Sequence, residues 1–204
     1  QLFLGQLKEN DMMRSILFTA LLAFSASASA QGFDYNYFSV GYERLNLDDG
    51  FFDVDGDGFG LSGSFELNES FFIFGGYGMG EFKEQGITVD VDTLSAGIGW
   101  HTPLSETLDL VTGLSYEYVE VGASGFGSND ENGYGLGVGL RFQASEAIEL
   151  NAGINYVDLG DGDDTGFGVG LLYGVTENVD VGLTADWGDD SSAYGINGRF
   201  YFGN

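Results

Sequence analysis

The 204-residue chain has no cysteine, so no disulfide framework can hold it together. It has one proline, Pro103, and one histidine, His101. Bases are scarce: six Lys and Arg stand against 32 Asp and Glu, for a formal net charge of −26. Nucleic acid is therefore not an expected partner, because phosphate binding needs a basic surface. Nor is catalysis expected. A surface hydrolase would need His101 beside an Asp or Ser near an outer rim, and His101 sits at the opposite end of its strand. After residue 30 no apolar run is long enough for a membrane helix. No segment there has helical periodicity, so no helix is expected.

What the chain does have begins with a targeting pattern. Arg14 precedes the apolar run Ser15 to Phe24, and Ser25-Ala26-Ser27-Ala28-Ser29-Ala30 follows. A positive start, a short apolar core and an Ala-x-Ala ending describe a secretory signal peptide. Residues 1–30 are read as an upstream extension plus a cleaved signal, with Gln31 first in the mature protein. Residues 31–204 then form one domain.

That domain is built on a repeat. Leu104-Ser105-Glu106-Thr107-Leu108-Asp109-Leu110 recurs as Ala144 to Leu150 and as Val175 to Val181, and more loosely as Leu67 to Ile73. Each copy is a polar turn opening a strand of alternating apolar and polar residues. Glu69, Glu106, Glu146 and Glu177 are spaced for one hairpin per copy. The pattern predicts ten strands, with eight as the alternative: 34–46, 58–67, 71–82, 91–101, 107–120, 133–143, 147–158, 166–175, 179–188 and 193–202. Short turns carrying the repeated Glu alternate with longer acidic loops at 47–57, 83–90, 121–132, 159–165 and 189–192.

The two strand faces differ. One parity is apolar and uncharged, as in Phe59, Leu61, Phe65 and Leu67, or Tyr134, Leu136, Val138, Leu140 and Phe142. The other carries the charges among many glycines, such as Gly133, Gly135, Gly137 and Gly139. A solvated outer face has no use for so much glycine, whereas a crowded lumen does. Aromatics on the apolar face gather at both strand ends. Phe59, Tyr77, Tyr116, Tyr134, Tyr156, Phe167, Trp187 and Tyr194 lie towards the long loops, and Phe71, Trp100, Phe142, Tyr173 and Phe202 towards the short turns. Two aromatic girdles around an apolar band mark a transmembrane barrel. The predicted fold is an all-β, antiparallel, up-and-down transmembrane β-barrel. Glu66, Asp109, Glu117, Arg141, Glu149, Asp180 and Arg199 should face inward as a polar network that fills the lumen, since buried charges must be paired.

The chain resembles the small outer-membrane β-barrel proteins of Gram-negative bacteria, of the OmpA/OmpX-like kind. The resemblance rests on Met13 to Ala30, on the hairpin repeat, and on the ending Gly198-Arg199-Phe200-Tyr201-Phe202. Tyr35-Asn36-Tyr37 and Asp55-Gly56-Asp57-Gly58-Phe59 are also similar to acidic small barrels of xanthomonad-type bacteria. The family usually stops on the aromatic, and here Gly203-Asn204 follow. The resemblance implies the cell outer membrane as the location, with outer-membrane lipid and lipopolysaccharide as surroundings. It also implies that the barrel-assembly machinery reads the aromatic ending, and that the chain is monomeric.

Asp53-Val54-Asp55-Gly56-Asp57-Gly58 matches the start of a calcium loop, but the closing Glu position holds Ser64, which excludes an EF-hand. These acids read as solvated loop residues, with a loose calcium site at Asp53, Asp55 and Asp57 as the alternative. Otherwise no cofactor is expected. The expected role is structural or surface-interacting, with acidic loops outside. The alternatives are a narrow cation-favouring pore and a soluble secreted barrel that binds an apolar ligand.

Overall fold

A computed structural model describes residues 27–29, 32–48, 53–84, 87–125, 127–160 and 162–203. The expectations for residues 1–26, 30 and 31 lie outside the described residues. Two short strands, β1 (Ser27–Ser29) and β2 (Gly32–Asp34), pair with each other. Ten long strands follow: β3 (Tyr37–Asp48), β4 (Asp53–Asn68), β5 (Phe71–Glu84), β6 (Ile87–Ser105), β7 (Leu108–Ala123), β8 (Gly127–Ser145), β9 (Ile148–Leu159), β10 (Gly162–Thr176), β11 (Val179–Trp187) and β12 (Ser191–Tyr201). Each pairs antiparallel with its sequence neighbours, and β12 closes on β3 from Tyr201↔Tyr37 to Ser191↔Leu47. The result is a closed ten-strand up-and-down barrel, so no strand edge is left open between β3 and β12.

The repeat has a local physical cause. Each short turn is two residues long: Glu69-Ser70, Glu106-Thr107, Glu146-Ala147 and Glu177-Asn178. The residue before the Glu is Asn68, Ser105, Ser145 or Thr176, and its side-chain oxygen accepts from the N–H two residues on. That is the Asx or ST turn, which suits these residue types. A register shift sits at the same place in all four hairpins. The last turn residue then offers its carbonyl to a neighbouring strand: Ser70 to His101, Thr107 to Gln143, Ala147 to Gly174, and Asn178 to Tyr201. The repeat thus encodes both the turn and its seam.

The predicted faces hold. Phe59, Leu61, Leu136, Val138, Ile154 and Leu183 are exposed on the outside. Phe38, Val40 and Tyr42 of β3 join them. From Tyr134 to Phe142 the exterior is apolar over nine residues, enough for one bilayer crossing. The upper girdle is packed, with Phe167 stacked on Trp187 at 5.9 Å and Trp187 meeting Tyr194 edge-on at 6.2 Å.

Two expectations need correction. The acidic stretches placed in long loops are mostly strand. β4 starts at Asp53, β6 at Ile87 and β8 at Gly127, so the hairpins rise well past the girdle. The reason is a reversal of the faces there. In β7 the outward series Leu110, Leu114, Tyr116 gives way to Glu120, while the inward Ser115 and Glu117 give way to Val119 and Val121. Asp90 and Asp92 face out and Val89 and Val91 in on β6, and Asp158 lies between inward Val157 and Leu159 on β9. Above the girdle the exterior meets water, so the pattern becomes that of a soluble barrel. The second correction is at the start. The first barrel strand begins at Tyr37, not residue 34, because Phe33 to Asn36 turn into the lumen.

Inward glycines make room for rings. A Cβ on Gly99 would lie 2.1 Å from the Phe72 ring, and one on Gly97 2.5 Å from that of Phe74. Both are cross-strand pairs of β5 and β6, so each ring lies flat on a bare backbone. Gly99→Ala is expected to destabilise the barrel by about 1–3 kcal/mol through overpacking. Urea titration in detergent measures it. Unchanged stability would mean that the Phe72 ring does not rest there.

Candidate functional site

The lumen has three levels. At the short-turn end lies a charged and aromatic knot. Arg141 of β8 and Glu149 of β9 share one short hairpin and point inward, and the pair is almost fully buried. Arg141 Nε donates to Glu149 Oε1 at 3.1 Å and Nη2 to Oε2 at 3.2 Å. The N-terminal segment completes the knot. The Arg141 guanidinium lies 4.3 Å from the Phe33 ring centre and 4.4 Å from that of Tyr35, a double cation–π clamp. Tyr35 stacks on His101 and Phe72, and its hydroxyl donates to Asp109 Oδ2 at 2.9 Å. His101 Nδ1 meets the same oxygen at 3.0 Å. The Asn36 side chain donates to Glu66 Oε2 at 3.4 Å and accepts from the Glu66 backbone N–H at 3.0 Å.

Arg199 occupies the opposite wall of this level, 1% exposed. Its guanidinium lies 4.0 Å from the Tyr37 ring centre, and Asp180 is its cross-strand neighbour. Asp180 in turn accepts from the Tyr201 hydroxyl at 2.8 Å. The seven network residues named from sequence therefore separate. Arg141 with Glu149, Arg199 with Asp180, Asp109 and Glu66 line the short-turn level. Glu117 stands apart, buried, with Oε1 unbonded among the described residues.

The middle level is walled largely by glycine. Two small cavities of about 100 Å³ and 40 Å³ lie there. The outer level is apolar. Leu45, Phe82, Val91, Val119, Val157 and Leu159 form a buried cluster, extended by Val121 and Ala193 and flanked by Leu47, Val54 and Val89. The lumen therefore carries its charges mainly in the lower and middle levels, and a hydrophobic core, with Asp164 buried beside Val157, fills most of its outer mouth.

Outside that core the barrel carries an acidic belt. Tyrosines of the upper girdle and the row beside it donate to acids of the belt: Tyr42 to Asp57 at 2.5 Å, Tyr77 to Asp92 at 2.7 Å, and Tyr134 to Asp158 at 3.3 Å. Arg44 bridges Asp55 at 3.2 Å and Asp57 at 2.9 Å, and Lys83 pairs with Glu81. The structure thus turns Asp55 and Asp57 outward onto an arginine; the Asp53 side chain lies outside the description. Among the described residues no group of three acids or histidines is placed to hold a metal.

The fold is that of a known family. The family described as outer membrane protein beta-barrel domain matches residues 16–174. The chain belongs to this family. It is an outer-membrane protein, and its apolar band lies in lipid. No curated protein sequence matches the chain. Among solved structures, the transport unit of the autotransporter AIDA-I from Escherichia coli is similar at 12% identity, covering 88% of this chain and 94% of that one, with a TM-score of 0.51. Ail, the attachment invasion locus protein of Yersinia pestis, matches at 18% identity over 82% and 99% of the two chains, with a TM-score of 0.43. Neisserial surface protein A matches at 13% over 81% and 96%, with a TM-score of 0.45. Tyr37 and Tyr201 lie on the short-turn side, the side that is periplasmic in outer-membrane barrels, with the tall hairpins on the other.

Sequence reasoning missed three parts of the lumen. The inward turn of Phe33 to Asn36 has no signature, because its aromatics read as the start of a strand. The His101–Asp109 pair joins strands of one hairpin across a turn, which alternation does not reveal. The outer seal was legible as Val-Asp-Val-Asp at 89–92 and Val-Glu-Val at 119–121, where valine alternates with acid.

Proposed function

We propose that this protein is a sealed outer-membrane barrel that works at the cell surface through its acidic tower and does not conduct. The hydrophobic core at the outer mouth carries this reading. A solute path would have to cross a level walled mainly by Leu, Val and Phe, with Asp164 as its one described buried acid, so an ion would lose most of its hydration there. The tower is rigid because β-ladders and an apolar core support it, so it presents fixed charges instead of mobile loops. Its belt is almost wholly acidic, which favours cationic partners, including divalent ions that bridge to lipopolysaccharide phosphates. The barrel acts as a non-catalytic monomer, and its ending Phe200-Tyr201-Phe202 is read by the barrel-assembly machinery during insertion.

Planar-bilayer recording tests the sealed reading. The refolded barrel is expected to insert without unitary conductance in molar salt. A reproducible cation-selective step would overturn it in favour of a narrow pore.

A further inference from the structure

The middle level holds acids that no base reaches. The described residues contain four bases. Arg44 and Lys83 lie outside the barrel, Arg141 is taken by Glu149, and Arg199 lies on Tyr37 beside Asp180. Glu43 of β3 and Asp186 of β11 face inward, Asp186 being 4% exposed, and Asp186 feels Glu43 as its charged neighbour. A buried carboxylate left without a counter-charge is costly.

The two acids line neighbouring cavities that share Thr184. The 100 Å³ cavity is lined by Glu43, Asn197 and Thr184, and the 40 Å³ cavity by Asp186, Asn155 and Thr184. Thr184 stands between the two. Gly195, across from it, leaves the gap open: a Cβ there would lie 2.5 Å from Thr184 Oγ1 and 3.1 Å from Glu43 Cγ. An independent observation points to a guest. Asn155 is 3% exposed, lines the same cavity as Asp186, and neither of its amide atoms has a partner among the described residues. Asn197 Oδ1 is likewise unbonded. Arg141 also borders the smaller cavity, with its charge already met by Glu149.

We propose that these cavities form a buried divalent-cation site that takes calcium through Glu43, Asp186 and Thr184, with Asn155 and Asn197 as flanking oxygen donors. Two carboxylates match two positive charges. Every donor is oxygen, which favours a hard cation over zinc or copper. Four of the donors come from the adjacent strands β11, β12 and β3 and Asn155 from β9, an irregular set that calcium accepts and octahedral magnesium does not. The cavities have room for an ion and the waters that complete its shell, since one water needs about 10–15 Å³ of such space. The site is distinct from Asp53, Asp55 and Asp57, whose described members are turned outward onto Arg44.

The test is retained metal. The full chain is refolded into detergent micelles in calcium, passed over a chelating resin and assayed for metal. One calcium per folded barrel is expected. Glu43→Gln and Asp186→Asn should retain none, while the belt variant Asp92→Asn should keep it. The heat-unfolding temperature of wild type should be higher after refolding in calcium than in chelator. If wild-type barrels retain no calcium and unfold at one temperature in both conditions, the carboxylates are protonated and the site does not exist. Calcium retained equally by Glu43→Gln would assign it to the belt and also overturn the proposal. Should either variant fail to fold, the two wild-type measurements decide.

Discussion

Glu149→Leu is expected to lower folding stability by about 3–5 kcal/mol, the largest effect of any single substitution proposed for this barrel. The variant removes the carboxylate that pairs through two hydrogen bonds with a guanidinium that is 2% exposed. The rings of Phe33 and Tyr35 on Arg141 favour a cation but do not replace a bidentate carboxylate. Arg199 lies at the same level, so the loss also leaves two cations there with less negative charge between them. The double variant Arg141→Met with Glu149→Leu should recover much of the loss, because well-packed apolar groups can replace a buried pair. A double-mutant cycle by urea unfolding in detergent measures the coupling. A cost below about 1 kcal/mol for Glu149→Leu would show that water fills the knot and screens Arg141.

Leu183→Lys should cost about 2–4 kcal/mol in lipid, the penalty for a lysine at a lipid-facing midplane position. Leu183 is 57% exposed on the outer wall and pairs in register with Leu171 and Ile196, both also exposed. No carboxylate lies on that row. Its neighbour Thr184 points the other way, into the cavities lined by Glu43 and Asp186. Thr184→Lys should therefore lose less, since its ammonium meets acids instead of lipid. Single cysteines sharpen the contrast. A lipid-phase reagent should label Leu183→Cys and leave Thr184→Cys unmarked. Labelling at 184 from lipid would invert the assigned faces.

Sequence alone determined the antiparallel order and the lipid face of this protein and left ten strands with eight as the alternative, which closure of β12 on β3 decided as ten. Alternation in strands is a local property, and the polar turns Asn68-Glu69, Ser105-Glu106, Ser145-Glu146 and Thr176-Glu177 fix register within each hairpin. The inward parity of Glu66, Asp109, Glu117, Arg141, Glu149, Asp180 and Arg199 followed from the same rule. Their pairing did not. Which charges meet across a lumen depends on stagger and closure, which join residues far apart in the chain, as Tyr35 joins Asp109. The switch from apolar-out to acid-out at Val89 to Asp92 and Val119 to Val121 was legible in the sequence, but that these valines meet in one core followed only from closure of the barrel. Local signals place a side chain on a wall, and only closure decides what stands opposite: Arg44 against Asp55 and Asp57 outside, and Glu43 with Asp186 inside without a base.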